Sequence, residues 1–84
     1  MKVNFTMKNI EMALEFVKFS SEFVDDIDLK SGSRCVDAKS ILGVLSIGYP
    51  CEVEVIFYSD NQIALRLFDA YMTKLLNNFN KQDD

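Results

Sequence analysis

Apolar and polar residues alternate along four short stretches of the chain, a period that is typical of strands with one buried face. The predicted strands are residues 2–7, 24–30, 34–38 and 51–58, and their inward residues are Val3, Phe5, Met7, Ile27, Leu29, Val36, Ala38, Cys51, Val53, Val55 and Phe57. Turn-forming residues at 31–33, with Gly32 in the middle, separate the second and third stretches. This spacing predicts a hairpin between them.

In two longer segments apolar and polar residues recur at helical spacing. In residues 9–23 the polar face is Glu11, Glu15, Lys18 and Glu22, the predicted core face is Ile10, Ala13, Leu14, Val17 and Ser20, and a flanking stripe consists of Met12, Phe16, Phe19 and Phe23. We interpret the stripe as core, with a dimer or partner surface as the alternative. The second helix is predicted to begin at a cap on Asp60 and to run to about Asn77, with the inward residues Ala64, Leu67, Phe68, Tyr71 and Leu75.

A third, short helix is predicted from Ser40 to Ile47, with Ser40 as its cap and Gly48 as the residue that ends it. Val44 and Ile47 are three residues apart and face inward together. The remaining apolar residues, Ile41, Leu42 and Leu45, fall on another side of the helix. Apolar residues all round a short helix indicate either deep burial or a surface kept for a partner.

The same segment carries a specific motif. Lys39-Ser40-Ile41, Gly43-Val44, Ser46 and Gly48 follow a strand end of the form Val-x-Ala-Lys. This order and spacing resembles the central segment of the HPr family, the small phosphocarrier proteins of the bacterial sugar phosphotransferase system. The resemblance implies an α+β fold, an HPr-like open-faced β-sandwich in β-α-β-β-α-β-α order. Its four-stranded antiparallel sheet would be covered on one face by three helices.

The resemblance does not extend to the residues that carry phosphate. An HPr protein holds its phosphoryl group on a histidine at the start of the first helix, with an arginine close by. Asn9 stands about where that histidine belongs and Glu11 about where the arginine belongs. The whole chain contains no histidine. The resemblance therefore implies the fold without the histidine phosphocarrier activity.

The regulatory serine of the family is matched by Ser40. In Gram-positive relatives this serine is phosphorylated by HPr kinase, after which the protein can bind a catabolite-control regulator. The catabolite-repression HPr homologue lacks the histidine and keeps the serine, and this chain resembles that branch in kind. The alternative is that Ser40 is only a helix cap. The predicted partner surface is Ile41, Leu42 and Leu45, bordered by Met12 and Phe16.

Length and composition limit the remaining functions. Eighty-four residues make one domain, 1–84, with a polar tail from about residue 78. The net charge of −4 and the lack of a basic cluster argue against nucleic-acid binding. No signal peptide or membrane-spanning run occurs, so we expect a cytoplasmic protein. Cys35 and Cys51 are expected to be reduced thiols. The neighbouring acids Asp25, Asp26 and Asp28 lack the geometry of a calcium loop.

These observations predict a regulatory binding protein with no enzymatic activity, no cofactor and no metal. Its partner would be a protein, with HPr kinase or a catabolite-control regulator as the candidates. The alternative function is a structural or self-associating module that keeps the fold without phosphorylation and forms a homodimer through its apolar surface.

Overall fold

Seven elements build the chain in the predicted order. The structure is a computed structural model that describes residues 1–80. Its elements are β1 (Lys2–Met7), α1 (Ile10–Ser20), β2 (Asp26–Ser31), β3 (Arg34–Asp37), α2 (Ile41–Leu45), β4 (Cys51–Tyr58) and α3 (Gln62–Asn80). The strands form one antiparallel sheet in the order β1-β4-β2-β3. The predicted α+β architecture, a four-stranded antiparallel sheet with three helices, is confirmed.

The register of the sheet places the alternating apolar residues side by side. Leu29 pairs with Val55 on one side and with Val36 on the other, and Val55 pairs in turn with Val3. The same face carries the pairs Phe5 with Val53 and Ile27 with Phe57. Because side chains alternate across a strand, pairing in this register brings all of these residues to the face under the helices. The predicted strand faces are confirmed.

The hairpin between β2 and β3 turns through two residues. Ser31 pairs with Arg34, so Gly32 and Ser33 form the loop. Gly32 has φ of +59°, whereas Ser33 has no positive φ. A glycine at the first loop position is what a tight hairpin turn of this twist requires, because a side chain there would be strained.

Aromatic rings of α1, α3 and the central strand β4 pack against one another. Phe68 of α3 stacks on Phe57 of β4 with 4.4 Å between ring centroids. Phe19 of α1 stacks on Tyr71 of α3 at 5.6 Å. Phe23, just after α1, meets Phe57 edge-on at 5.2 Å. Burial of such large rings contributes more apolar area than any other side chain in a core of this size.

Three residues of the predicted core face of α1 are buried as predicted, namely Ala13, Val17 and Ser20. Ile10 and Leu14, predicted to be core, are 58% and 42% exposed. The stripe residues Met12, Phe16 and Phe19 are buried as well, Met12 and Phe16 with 1% and 0% exposure. The helix is thus rotated toward the stripe, so that its largest side chains enter the core and bury more apolar area. The interpretation of the stripe as core is confirmed, and Phe23 is half-buried against the same core.

α3 begins one residue later than predicted. The cap is Asn61 and not Asp60, because the Asn61 Oδ1 atom accepts hydrogen bonds from the backbone amides of Ile63 at 2.9 Å and Ala64 at 3.1 Å. An Asn side chain supplies the same acceptor as an Asp side chain at this position. Leu67, predicted to face inward, is exposed.

The C-terminal end of α3 extends past the predicted limit. The helix continues to Asn80, and Phe79 is buried in the core. One apolar ring near the end of the chain is enough to hold the last turn on the core, since it buries apolar area that would otherwise meet water. The helix therefore includes the first three residues of the predicted polar tail, and residues 81–84 lie outside the described part.

Candidate functional site

Asn9 is the N-cap of α1. Its backbone is extended, and its Oδ1 atom accepts a hydrogen bond from the Met12 amide at 2.8 Å. Glu11 lies exposed in the first turn, where a negative charge is favoured by the helix dipole. A carboxamide that caps a helix is a hydrogen-bonding group and is not one of the side chains that form covalent phosphoryl intermediates. The position therefore has a structural role in the helix and offers no nucleophile.

Ser40 closes the start of α2 in the same way. Its backbone is extended, and its Oγ atom accepts a hydrogen bond from the Gly43 amide at 3.2 Å. The side chain is exposed. A Cβ atom on residue 43 would stand 3.2 Å from Ser40 Oγ and 3.4 Å from Val36 Cβ, so glycine keeps this contact unstrained. The predicted cap is confirmed, and its hydroxyl oxygen is open to solvent.

The turn that leads into Ser40 is fixed by Asp37 and Lys39. Asp37 accepts the Lys39 amide on its Oδ1 atom at 2.9 Å and the Ser40 amide on its backbone oxygen at 3.0 Å. The Lys39 ammonium donates to the backbone oxygen of Phe23 at 2.6 Å. The cation next to Ser40 in sequence is thus held by the loop that follows α1.

The other end of α2 is held by two side chains from outside the helix. Arg34 of β3 donates to the Ser46 backbone oxygen at 2.8 Å and to Ser46 Oγ at 2.7 Å. The Tyr49 hydroxyl donates to the Val44 backbone oxygen at 2.6 Å. Burial raises the pKa of Tyr49 to about 12, with the Cys51 thiol adding to the rise and the Arg34 charge opposing it. Gly48, with φ of +83°, ends the turn as predicted.

The exposed residues of α2 are largely those predicted as a partner surface. Leu42 is 83% exposed and Ile41 is 52% exposed, whereas Val44 is fully buried beneath them. Leu45 is only half-buried, so it contributes less to the surface than predicted. The helix proper has five residues, fewer than the predicted span, because residues 46 and 47 form a turn.

The predicted border of this surface is wrong, and different residues of α1 take its place. Met12 and Phe16 are buried in the core and cannot be touched by a partner. Ile10 and Leu14 are the exposed apolar residues of this helix among 10–20. Both were predicted to be core residues from their helical spacing, so they were not included in the predicted surface.

Ile10 and Leu14 lie on a different side of α1 from Phe19, which lines the groove toward α3. α1 packs against both α2 and α3. The groove between α1 and α3 is lined on the α1 side by Glu15, Lys18 and Phe19. At about 100° per residue, Ile10 and Leu14 lie about 140° to 180° around the helix from Phe19. Ile10 and Leu14 on α1 and Ile41 and Leu42 on α2 are exposed apolar residues of two helices that pack together, and we call these four residues the apolar helix face.

The open face of the sheet, opposite the helices, is acidic. Asp28 pairs directly with Asp37, and the Tyr58 hydroxyl donates to Asp28 at 3.0 Å. This hydrogen bond raises the pKa of Tyr58. Within residues 1–80 no group of His, Cys, Asp or Glu side chains could hold a metal ion. Cys35, on the open face, and Cys51 are both free thiols.

Membrane insertion of a helix is not supported in the described part of the chain. Among the helices of residues 1–80, none combines the length and the apolar composition that a membrane span requires.

The comparisons with known proteins agree with this geometry. The model of the phosphotransferase-system family described as the HPr component phosphorylation site matches residues 9–78. The matched range begins at the cap Asn9 and includes Ser40 and all of α2. The comparison with curated proteins finds no match.

Solved structures of HPr proteins have the same fold. HPr-C-His from Thermoanaerobacter tengcongensis is 24% identical with a TM-score of 0.67, over 92% of this chain and 88% of that one. The phosphocarrier protein HPr from Bacillus anthracis str. Ames is 26% identical with a TM-score of 0.59, over 83% and 95%. A mycoplasma histidine-containing phosphocarrier protein is 17% identical with a TM-score of 0.66, over 88% and 93%.

Proposed function

From the premise that this chain belongs to the HPr family of the phosphotransferase system, we propose that it is a regulatory binding protein of that system. It binds protein partners and neither catalyses a reaction nor carries phosphate on histidine. The absence of any histidine from the sequence is the first support for this proposal. The second is that the residue in the histidine's place, Asn9, already uses its side chain to cap α1. A cytoplasmic location is part of the same proposal.

Phosphorylation of Ser40 is the regulation that we propose, and the exposed Ser40 hydroxyl at the start of α2 is the observation that carries it. A hydroxyl oxygen that only accepts one amide hydrogen bond, from Gly43, is free to be phosphorylated without loss of a buried contact. The Gly43 amide would remain available as a donor to the phosphate, and negative charge is favoured at a helix start. Phosphorylation is therefore compatible with the fold.

The partner would contact the apolar helix face beside Ser40. Ile41 and Leu42 follow the serine directly and are exposed on a helix whose inward side is already filled by Val44. Exposed apolar residues grouped on adjoining helices favour association, because each buried Å² contributes roughly 25 cal/mol before the cost of docking. A kinase or a catabolite-control regulator is the class of partner that we propose.

The test is incubation of the protein with ATP and the HPr kinase of a Gram-positive bacterium, followed by mass spectrometry of its peptides. We expect one phosphate, on Ser40. Ser33→Ala is the control, because Ser33 is an exposed serine in the β2–β3 loop, away from both ends of α2. Ser40→Ala should abolish labelling. Phosphate on another residue, or none, would contradict the regulatory proposal.

A second arm of the experiment tests the missing carrier activity. With phosphoenolpyruvate and the enzyme that normally charges HPr, the protein should acquire no acid-labile phosphate, since it has no histidine to accept one. An HPr protein with its histidine serves as the positive control. Stoichiometric labelling of the present chain would show that another side chain has taken over the transfer.

The alternative function is a self-associating module without phosphorylation. The exposed Leu42 and Ile41 support it as well, because a second copy could cover them. Genomic neighbourhood separates the two functions: genes for sugar uptake and HPr kinase near this gene favour regulation, and their absence from the genome favours the module.

A further inference from the structure

On the exposed side of α1 a row of carboxylates runs beside the apolar helix face. On α1 the apolar pair Ile10 and Leu14 is four residues apart, and the pair Glu11 and Glu15 repeats the same step one residue on. Residues four apart stack along one side of a helix, so the carboxylates form a row beside the apolar row. Both glutamates are exposed. A partner that covers Ile10 and Leu14 must therefore approach two carboxylates.

Two cations near α2 keep their charge but are held in place by neutral acceptors. Lys39 donates to the Phe23 backbone oxygen, and Arg34 is bound to Ser46. Lys18 lies one turn beyond Leu14 and is exposed. On the exposed side of α1 the two glutamates thus outnumber the one lysine. Desolvating a like charge against this row would cost free energy, whereas an opposite charge would be attracted.

We propose that the partner of the apolar helix face is a protein whose contact surface is apolar at its centre and carries lysine or arginine side chains that meet Glu11 and Glu15. The inference rests on the proposed binding function and adds the chemical character of the partner. The apolar centre of the partner supplies the buried area. Its basic rim pairs with the two carboxylates, which would repel a partner with an acidic rim.

The probe is a synthetic amphipathic helical peptide with leucines on one face and lysines flanking them. A second peptide with glutamate in place of every lysine is compared with it. Each is titrated into the 15N-labelled protein, and amide shifts are followed by NMR. The lysine peptide should shift amides of α1 and α2 around Leu14 and Leu42, and the glutamate peptide should bind more weakly.

Two double variants with the same change in charge distinguish the effect of the carboxylate row on α1 from the effect of net charge. The double variant Glu11→Gln with Glu15→Gln should lower the affinity for the lysine peptide by about fivefold, which is the effect of losing two exposed ion pairs. Glu52→Gln with Glu54→Gln makes the same change in charge on the open face of the sheet and should leave the affinity unchanged. Thermal unfolding of both variants verifies that they are folded.

Three results would overturn the inference. Equal weakening by the two paired variants would mean that only net charge matters. Equal binding of both peptides at the apolar helix face would leave the binding face in place and remove the basic rim. Shifts confined to other surfaces, or no binding of the lysine peptide, would remove the face itself. None of these results depends on phosphorylation of Ser40, so failure of the regulatory proposal remains distinguishable.

Discussion

At the scale of single residues, Ser20 is the least favourable member of the core. It is fully buried at the end of α1, and its hydroxyl has no hydrogen-bond partner among residues 1–80. A buried hydroxyl without a partner costs roughly 1–3 kcal/mol, and alanine is also the better helix residue. We expect Ser20→Ala to raise the free energy of unfolding by up to about 1 kcal/mol. Urea denaturation measures the change.

The next residue along is the matched control. Ser21 donates its hydroxyl to the Val17 backbone oxygen at 2.8 Å. Ser21→Ala removes a satisfied hydrogen bond and should lower the free energy of unfolding by roughly 0.5–1 kcal/mol. If Ser20→Ala instead destabilises the protein by as much as Ser21→Ala, the Ser20 hydroxyl has a partner after all, such as a buried water.

At the scale of elements, α2 is too short to be stable alone and depends on contacts at both ends. Tyr49 supplies one of them, its hydroxyl bond to Val44. Tyr49→Phe should cost roughly 0.5–1.5 kcal/mol at neutral pH. Its phenol has a pKa of about 12 in the folded protein, above the ordinary value of 10.0. The unfolded chain therefore loses this proton first as pH rises, and the stabilisation by Tyr49 should decline above pH 10.

Urea midpoints at increasing pH measure this decline. The difference in stability between the wild type and Tyr49→Phe should be constant below pH 10 and should shrink above it. Amide exchange in α2 is a second measurement, with Tyr58→Phe as its control. This variant also removes a tyrosine hydroxyl, but from the open face of the sheet, and should leave the exchange in α2 unchanged. A difference that grows above pH 10 would contradict the stated cause of the pKa shift.

The strands and the cap of α2 could be predicted from the sequence, whereas the cap of α3 and the rotation of α1 could not. Alternation fixes which side of a strand is buried, and Ser40 and Gly48 mark the ends of α2 by local chemistry alone. α1 has apolar residues around more than half of its circumference, so periodicity left two choices of buried face. The choice depends on packing between α2 and α3, which local sequence does not encode. For that reason Ile41 and Leu42 were predicted at the site and Ile10 and Leu14 were not.

At the scale of the whole molecule, the core does not depend on the identity of the residue that caps α1. The core residues lie mainly on the inner sheet face and on the three helices, whereas Asn9 at the start of α1 is exposed. Replacing an exposed helix cap by another residue with a good acceptor costs little stability. The fold can therefore be kept for binding when phosphoryl transfer is lost. Surface residues such as Leu42 and Glu11 would then be under the remaining functional constraint.

The charge of the molecule also bears on self-association. In a two-fold contact through the apolar helix face whose axis runs across α1, the rows of Glu11 and Glu15 from both copies would come together, in a protein whose net charge is already −4. This repulsion opposes the gain from burying Leu42. We expect a monomer in sedimentation equilibrium at low salt, with any association strengthened by salt, which screens the carboxylates, and by Glu11→Gln with Glu15→Gln. A dimer at low salt that neither change strengthens would contradict this expectation and favour the self-associating module.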